Sequence, residues 1–314
     1  MKKFIVKLLN KLGILLLFIV VLIGGAVLLN FDHKVDYPAA IIGKYKRMDA
    51  LRDKNKILIC GGSSSSYGIN SAALGNAFGL PVVNTSLAMS LGSRFHLNLT
   101  KDYLKKGDVI VYIPEYEFYY GNEKGDDFLY TTAFYYPFII TSFSEAQQRN
   151  VMKESVRLSL EFFSGYVKRS FSEDKQENLQ YRRESYNDMG DNISLVKVQN
   201  SKITPQIKNR YQKLKSSIIS SEFIDFLSTF NKECKNKGVK LVVTFPPLEK
   251  SQFDNRFLDD INTIKKNTDI EFVGNPEDYL YDSELFYDSS YHLNGRGRKI
   301  RSQKLINELK TRLN

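Results

Sequence analysis

The chain has 314 residues, with 45 Lys and Arg against 35 Asp and Glu and a net charge of +10. Its 42% hydrophobic and 13% aromatic content supplies a packed core and excludes a disordered chain. Cys60 and Cys234 stand outside any C-x-x-C or Cys/His cluster, which excludes a disulfide framework, a zinc ribbon and a c-type haem site.

Residues Leu12 to Leu29 carry no charge. As a helix they would extend about 27 Å, close to the roughly 30 Å hydrocarbon core of a bilayer. Lys2, Lys3, Lys7 and Lys11 precede this run, and lysines mark the cytoplasmic end of a spanning helix. The expectation is a cytoplasmic basic segment over 1–11, a transmembrane anchor over 12–29 and an extracytoplasmic remainder. A cleaved signal peptide is the competing reading. Its apolar region would be shorter, about 7–15 residues, and would end at an A-x-A-like site. Here the run leads instead into Asn30-Phe31-Asp32-His33-Lys34. No second run of spanning length follows, so the chain reads as single-pass. The positive charge suits an anionic cell surface or a lipid headgroup layer, and nucleic acid is not expected as a partner there.

After a connector over 30–55, with Tyr37-Pro38 as a breaker and a short helix over Lys44–Arg52, the pattern turns to α/β. Lys56–Cys60 reads as a buried strand and runs into Gly61-Gly62-Ser63-Ser64-Ser65-Ser66. Ser71 is the expected cap of the next helix, which closes at Gly79. Then come a strand over Pro81–Asn84, a helix over Ser93–Lys105 and a strand over Asp108–Ile113. The pattern resumes with a helix over 207–235, a strand over Val239–Phe245, a helix over Phe253–Lys266, a strand over Ile270–Val273 and a last helix over Gly295–Leu313. Alternating strands and helices predict βαβ units and a mostly parallel five-stranded sheet in a three-layer α/β/α fold. The basic residues of the last helix (Arg296, Arg298, Lys299, Arg301, Lys304, Lys310, Arg312) read as its solvated face.

An insertion over about 117–204 interrupts the alternation. Its first part is rich in Phe and Tyr from Phe118 to Phe138, which suits either a packed core or a bilayer interface or membrane-partner groove. Its second part places Met152, Val156, Leu160, Phe163 and Val167 on one helical stripe. That stripe is expected to pack the insertion onto the sheet domain.

Ser63 follows a strand and opens a helix, at the sheet edge where open α/β folds bind ligands. The segment is neither a Walker A loop nor a G-x-S-x-G elbow. A tight turn and a nucleophile both fit it. Backbone N–H groups at the helix start could hold an oxyanion. A serine nucleophile needs a base. His33 abuts the anchor, and His96 reads as a packed or surface histidine. His292 lies in the loop before the last helix with Asp288 four residues ahead, so Asp288 could orient its Nδ1–H and leave Nε2 for Ser63. A structural histidine is the equal alternative from these residues alone.

Gly-x-Ser after the first strand, Asn84 after the second and Asp-x-x-x-His before the last helix resemble the SGNH (GDSL-type) hydrolases. More narrowly, Tyr67-Gly68-Ile69-Asn70, Lys106-Gly107-Asp108 through Pro114-Glu115-Tyr116-Glu117, Asn187-x-x-Gly190-Asp191 and Tyr291-His292-Leu293-Asn294 resemble their membrane-anchored bacterial branch. That branch includes the D-alanine transfer protein of teichoic acid and the SGNH partners of membrane-bound O-acyltransferases. The resemblance covers roughly 55–116 and 238–313, leaving the anchor and insertion aside, and implies a flavodoxin-like domain over 56–314 interrupted by the insertion, with Ser63 as nucleophile, His292 as base and Asp288 as its orienter. It implies an oxyanion hole from the N–H groups of Ser63 and Met89, in a loop opened by Asn84. Three departures stand out: Gly62 replaces the Asp of the motif name, Asp288 precedes His292 by four residues rather than three, and the third block lacks its Asn. Glu115 or Tyr116 stands there instead, Glu115 repelling an oxyanion unless it pairs with a cation such as Arg94. The implied activity is acyl transfer or ester hydrolysis on a cell-surface polysaccharide or teichoic-acid-type polymer, without metal or cofactor. The alternative is a catalytically weak accessory that docks a membrane-bound O-acyltransferase or a glycan-assembly complex.

Overall fold

The computed structural model describes residues 2–30, 34–121, 123–170, 180–202 and 218–313. His33, the Val167 side chain and residues 207–217 of the expected helix lie outside the described residues. Helix α1 (Lys2–Asn30) joins the basic segment and the uncharged run, and its Lys2–Leu22 stretch is long and apolar enough to cross a membrane. A 3₁₀ turn over Tyr37–Ala39 leads into α2 (Ala40–Ala50), which starts four residues before the expected Lys44. Pro38 sits in that first turn, where a missing N–H costs no helical bond, so it starts a helix rather than breaking one.

Strands β1 (Ile57–Gly61), β2 (Val82–Asn84), β3 (Val109–Ile113), β4 (Lys240–Val243) and β6 (Glu271–Phe272) form one parallel sheet in the order β2-β1-β3-β4-β6. All five β1 residues are buried, as expected of a parallel strand covered on both faces. A second, two-stranded parallel ribbon, β5 (Leu248–Glu249) with β7 (Leu280–Tyr281), was not expected. Two-residue strands are too short to leave a periodic signal.

The remaining α-helices among the described residues are α3 (Ser63–Gly68), α4 (Ser71–Phe78), α5 (Ser93–Asn98), α6 (Asp127–Tyr135), α7 (Glu145–Ser170), α8 (Ser221–Asn236), α9 (Arg256–Asn267) and α10 (Gly295–Leu313). Alternate residues of β1 enter two separate apolar clusters. Leu58 and Cys60 join Ile41, Phe95, Leu227 and Ile261 from α2, α5, α8 and α9. Ile57 and Ile59 join Leu74 of α4 with Leu305 and Leu309 of α10. At the amino edge of the sheet, Lys56 Nζ pairs with Asp108 Oδ2 at 2.8 Å, both side chains fully buried. The Lys-Gly-Asp segment thus serves the edge opposite the β1 carboxyl end.

Several expectations need correction. Asn70, not Ser71, caps α4, its side chain accepting the Ala73 N–H at 3.2 Å. The expected helix over Ser93–Lys105 stops at Asn98 and resumes as a 3₁₀ turn over Lys101–Tyr103. Thr100 there turns its hydroxyl back onto the Leu97 carbonyl, a local bond that competes with helix continuation. In α7 the stripe faces the wrong way: Met152 is 72% and Leu160 50% exposed, while Leu158 and Ser159 are buried. The helix is rotated because Phe162 meets Phe134 of α6, ring centroids 6.0 Å apart. The aromatic run before it belongs to the core: Phe118, Tyr119 and Tyr135 are buried, and Tyr119 packs edge-on against Phe223. Phe138 alone of that run is fully outside it. In α10, Arg298 and Arg301 point inward rather than into solvent. Cys60 and Cys234 are both free and buried.

Candidate active site

In the order β2-β1-β3 the chain leaves β1 in one direction and later returns to its other side, so the carboxyl ends of β1 and β3 form a topological switch point. Ser63 follows β1 and Glu115 follows β3 at that place, with Gly61 paired to Ile113 in the register.

Ser63 is the first residue of α3 and is half-buried. Its Oγ lies 2.9 Å from His292 Nε2. His292 Nδ1 lies 2.8 Å from Asp288 Oδ1. The loop achieves this four-residue spacing by closing on itself: Phe286 bridges Leu293, the Tyr287 N–H donates to the His292 carbonyl, and the His292 N–H donates to the Ser289 carbonyl. That tight turn brings the Asp288 carboxylate alongside the ring at the four-residue spacing. Burial pushes Asp288 up, but bonds from His292 and Tyr181 outweigh it and hold the carboxyl below its usual value. Asp288 is therefore an anion near neutral pH, able to stabilise an imidazolium.

Two tyrosines complete the surroundings of His292; Tyr67 entered the sequence reading only as part of a motif, and Tyr181 did not enter it. Tyr67 is one helical turn beyond Ser63 on α3, so both project from one face, and its ring centroid lies 4.6 Å from that of His292. Tyr181, from the insertion, donates its hydroxyl to Asp288 Oδ2 at 3.0 Å and stands 3.4 Å from His292 Nδ1. An i,i+4 pair was readable in principle. The Tyr181 contact, 107 residues away in the chain, left no local signal.

Glu115, just beyond β3, meets α3 rather than Arg94. Its Oε2 accepts the Gly62 N–H at 3.1 Å, while Oε1 accepts the Ser64 N–H at 3.2 Å and the Ser64 hydroxyl at 2.7 Å. Arg94 instead lies 4.0 Å from Glu222 and over the Phe226 ring. Gly62 offers no side-chain cap, so the carboxylate of Glu115, just after β3, satisfies orphan N–H groups at the helix start. A Cβ at position 62 would collide with that carboxylate, which accounts for the Gly there. Burial lifts the Glu115 carboxyl to about 7, against the opposing bond from Ser64.

This capping uses up donors that the sequence had offered to an oxyanion. The Ser64 N–H serves Glu115, and the Ser65 and Ser66 N–H groups reach the Gly62 carbonyl at 3.3 Å. The Ser63 N–H, at the first helical position, has no intrahelical acceptor, and no hydrogen bond among the described residues uses it. Met89 opens a 3₁₀ turn over Met89–Leu91, and no hydrogen bond among the described residues joins it to Ser63. Asn84 is fully buried and turned away, with Nδ2 on the Ser65 carbonyl and Asp191 Oδ1 and Oδ1 accepting the Ser86 N–H. Tyr116 is likewise a core residue: its ring stacks on Phe257, and its N–H donates to the Tyr291 hydroxyl. His96 is buried with Nε2 3.0 Å from the Ala88 carbonyl, and burial pulls it down to about 3, so it is a neutral structural ring.

The Asn-x-x-Gly-Asp segment of the insertion docks beneath α3. Asp191 accepts the Ser71 N–H and hydroxyl, the Asn84 amide and Arg298 Nη2, the last at 2.8 Å. Gly190, at φ +90°, lets the chain pass the Asn84 carbonyl where a Cβ would collide. The structure therefore brings Ser63, His292, Asp288, Gly62 and Glu115 together, while Asn84 and Tyr116 are buried and Met89 lies in its own 3₁₀ turn. Compared with known proteins, the chain matches no family model and no curated protein.

Proposed function

We propose that the chain is a membrane-anchored SGNH-type acyl transferase or esterase acting outside the cytoplasm on a cell-surface polysaccharide or teichoic-acid-type polymer. The observation that carries the reading is the continuous line from Asp288 through His292 to Ser63, with contacts of 2.8 and 2.9 Å. The two apolar clusters on alternate β1 residues support the three-layer α/β/α arrangement of that family. The lysines ahead of the apolar part of α1 support a cytoplasmic N-terminus.

In this reading His292 Nε2 takes the Ser63 hydroxyl proton as Oγ attacks the carbonyl carbon of an ester or thioester. Asp288 stabilises the imidazolium, and the Ser63 N–H contributes to holding the oxyanion. Collapse expels the alcohol or thiol, which takes the proton from His292 and leaves an acyl ester on Ser63. A polymer hydroxyl, or water, then attacks with His292 again as base and restores the serine. Incubating the full chain with p-nitrophenyl acetate and measuring intact mass tests this: an acetyl adduct on Ser63 is expected, and its absence in folded protein contradicts the mechanism.

One observation favours a second reading. Glu115 stands where the family carries an Asn donor and engages the backbone beside Ser63. Ionised, it opposes an oxyanion, and losing one donor costs about 10²–10³ in rate. The second reading is an accessory protein of weak activity that docks a membrane-bound O-acyltransferase.

A further inference from the structure

A cavity of about 480 Å³ lies between α2 and residues 183–190 of the insertion, away from Ser63. Its charged lining is Lys44, Lys46, Arg47 and Arg183 against a single acid, Asp188. Lys44 is 1% exposed. Its ammonium donates to the Asn84 carbonyl at 3.0 Å and the Gly190 carbonyl at 2.7 Å, and it lies 4.5 Å from the centre of the Tyr186 ring. Among the described residues no carboxylate lies within ion-pairing distance of it. A buried cation held by two carbonyls and a ring face, with no paired carboxylate, is costly, and burial pulls Lys44 down to about 7 even though Asp191 attracts it from further off. Arg47 is held in place by its Nε–H bond to the Val82 carbonyl, at 2.8 Å.

A cavity with this charge, a fixed Arg and a buried ammonium among its lining residues matches a compact, highly charged oxygen anion. Phosphate-type groups are bound elsewhere by the same combination of Lys and Arg donors. We infer that this cavity binds a phosphate-type oxyanion, supplied either as free phosphate or as the headgroup of an anionic lipid. Residues 35 and 36 pair with the insertion next to Arg183 of the lining, Asp36 bridging Arg182 and the Arg183 N–H donating to the Val35 carbonyl. The inference does not depend on serine chemistry, since none of Ser63, His292 and Asp288 lines the cavity. The cavity nonetheless touches α3 through Tyr186, whose hydroxyl accepts from Ser66 at 3.2 Å.

The test uses the full chain in neutral detergent, titrated calorimetrically with sulfate, whose charge does not change near neutral pH. In parallel, the chain is recovered from nanodiscs of mixed phosphatidylglycerol and phosphatidylcholine and its retained lipid measured by native mass spectrometry. Lys46→Glu and Arg183→Glu are compared with wild type, and Lys44→Met is added with thermal unfolding as a control for folding. Saturable sulfate binding, weakened at least about tenfold by either charge reversal, assigns the site to a free anion. Enrichment of phosphatidylglycerol that the reversals abolish, without sulfate saturation, assigns it to the headgroup. Neither signal in folded wild type overturns the inference, as does binding that both reversals leave unchanged.

Discussion

Tyr181 donates its hydroxyl to Asp288, so a residue of the insertion holds the acid that orients His292. The insertion is thus part of the site and not merely attached to its surface. A carboxylate that accepts one bond from the ring and another from a phenol has both oxygens engaged, which fixes the imidazole's plane.

Tyr181→Phe removes that second bond and leaves the ring packing. A hydrogen bond to a charged group contributes about 1.5–3 kcal/mol. Only part of this reaches the transition state, so labelling of Ser63 by a fluorophosphonate should slow by about three- to tenfold. Asp288 should titrate at higher pH in the variant, because one of the bonds that lowers it is gone. Rate against pH at the acidic end would reveal this, whereas a purely structural role would leave the profile's midpoint unmoved.

Glu115 predicts a stability profile with a definite sign. Its folded-state value of about 7 lies above the ordinary 4.5, so between those values the folded protein binds the extra proton. Stability should therefore fall as pH rises through that window, by at most about 1.4 kcal/mol per unit. Glu115→Gln cannot titrate and should flatten this part of the curve. Urea unfolding of both proteins near pH 5 and pH 7.5 checks it, and parallel pH dependences would contradict the assignment.

The buried Arg298–Asp191 pair predicts a larger loss. Arg298→Met strands a carboxylate that is 1% exposed and should destabilise the protein by about 3–5 kcal/mol. Because Asp191 anchors the segment following Tyr181, the same variant should slow Ser63 labelling well below saturation of the probe. Thermal unfolding and labelling rates of one preparation measure both effects.

The parts of this molecule legible in the sequence are those with local causes. Five buried β-branched and apolar runs gave the sheet, and the uncharged stretch within α1 gave the anchor-length helix. Ser63 and the Asp288–His292 pair were legible because a strand end and an i,i+4 spacing lie within single segments. What escaped was set by distance in the chain. Glu115 caps α3 from 53 residues away, and the rotation of α7 depends on a ring from α6. The inward turn of Arg298 depends on Asp191, and a basic residue on an amphipathic helix gives no hint of so distant a partner. The bonds of the Asn84 amide to Asp191 and the Ser65 carbonyl escaped for the same reason.

The central claim is that His292 activates Ser63, and a fluorophosphonate tests it most directly, because an unactivated serine does not react. The full chain should label at Ser63, located by peptide mass. Labelling should vanish in Ser63→Ala and slow by about 10²–10⁴ in His292→Ala. Folded wild type that takes up no probe, or His292→Ala that labels as fast as wild type, would contradict the account.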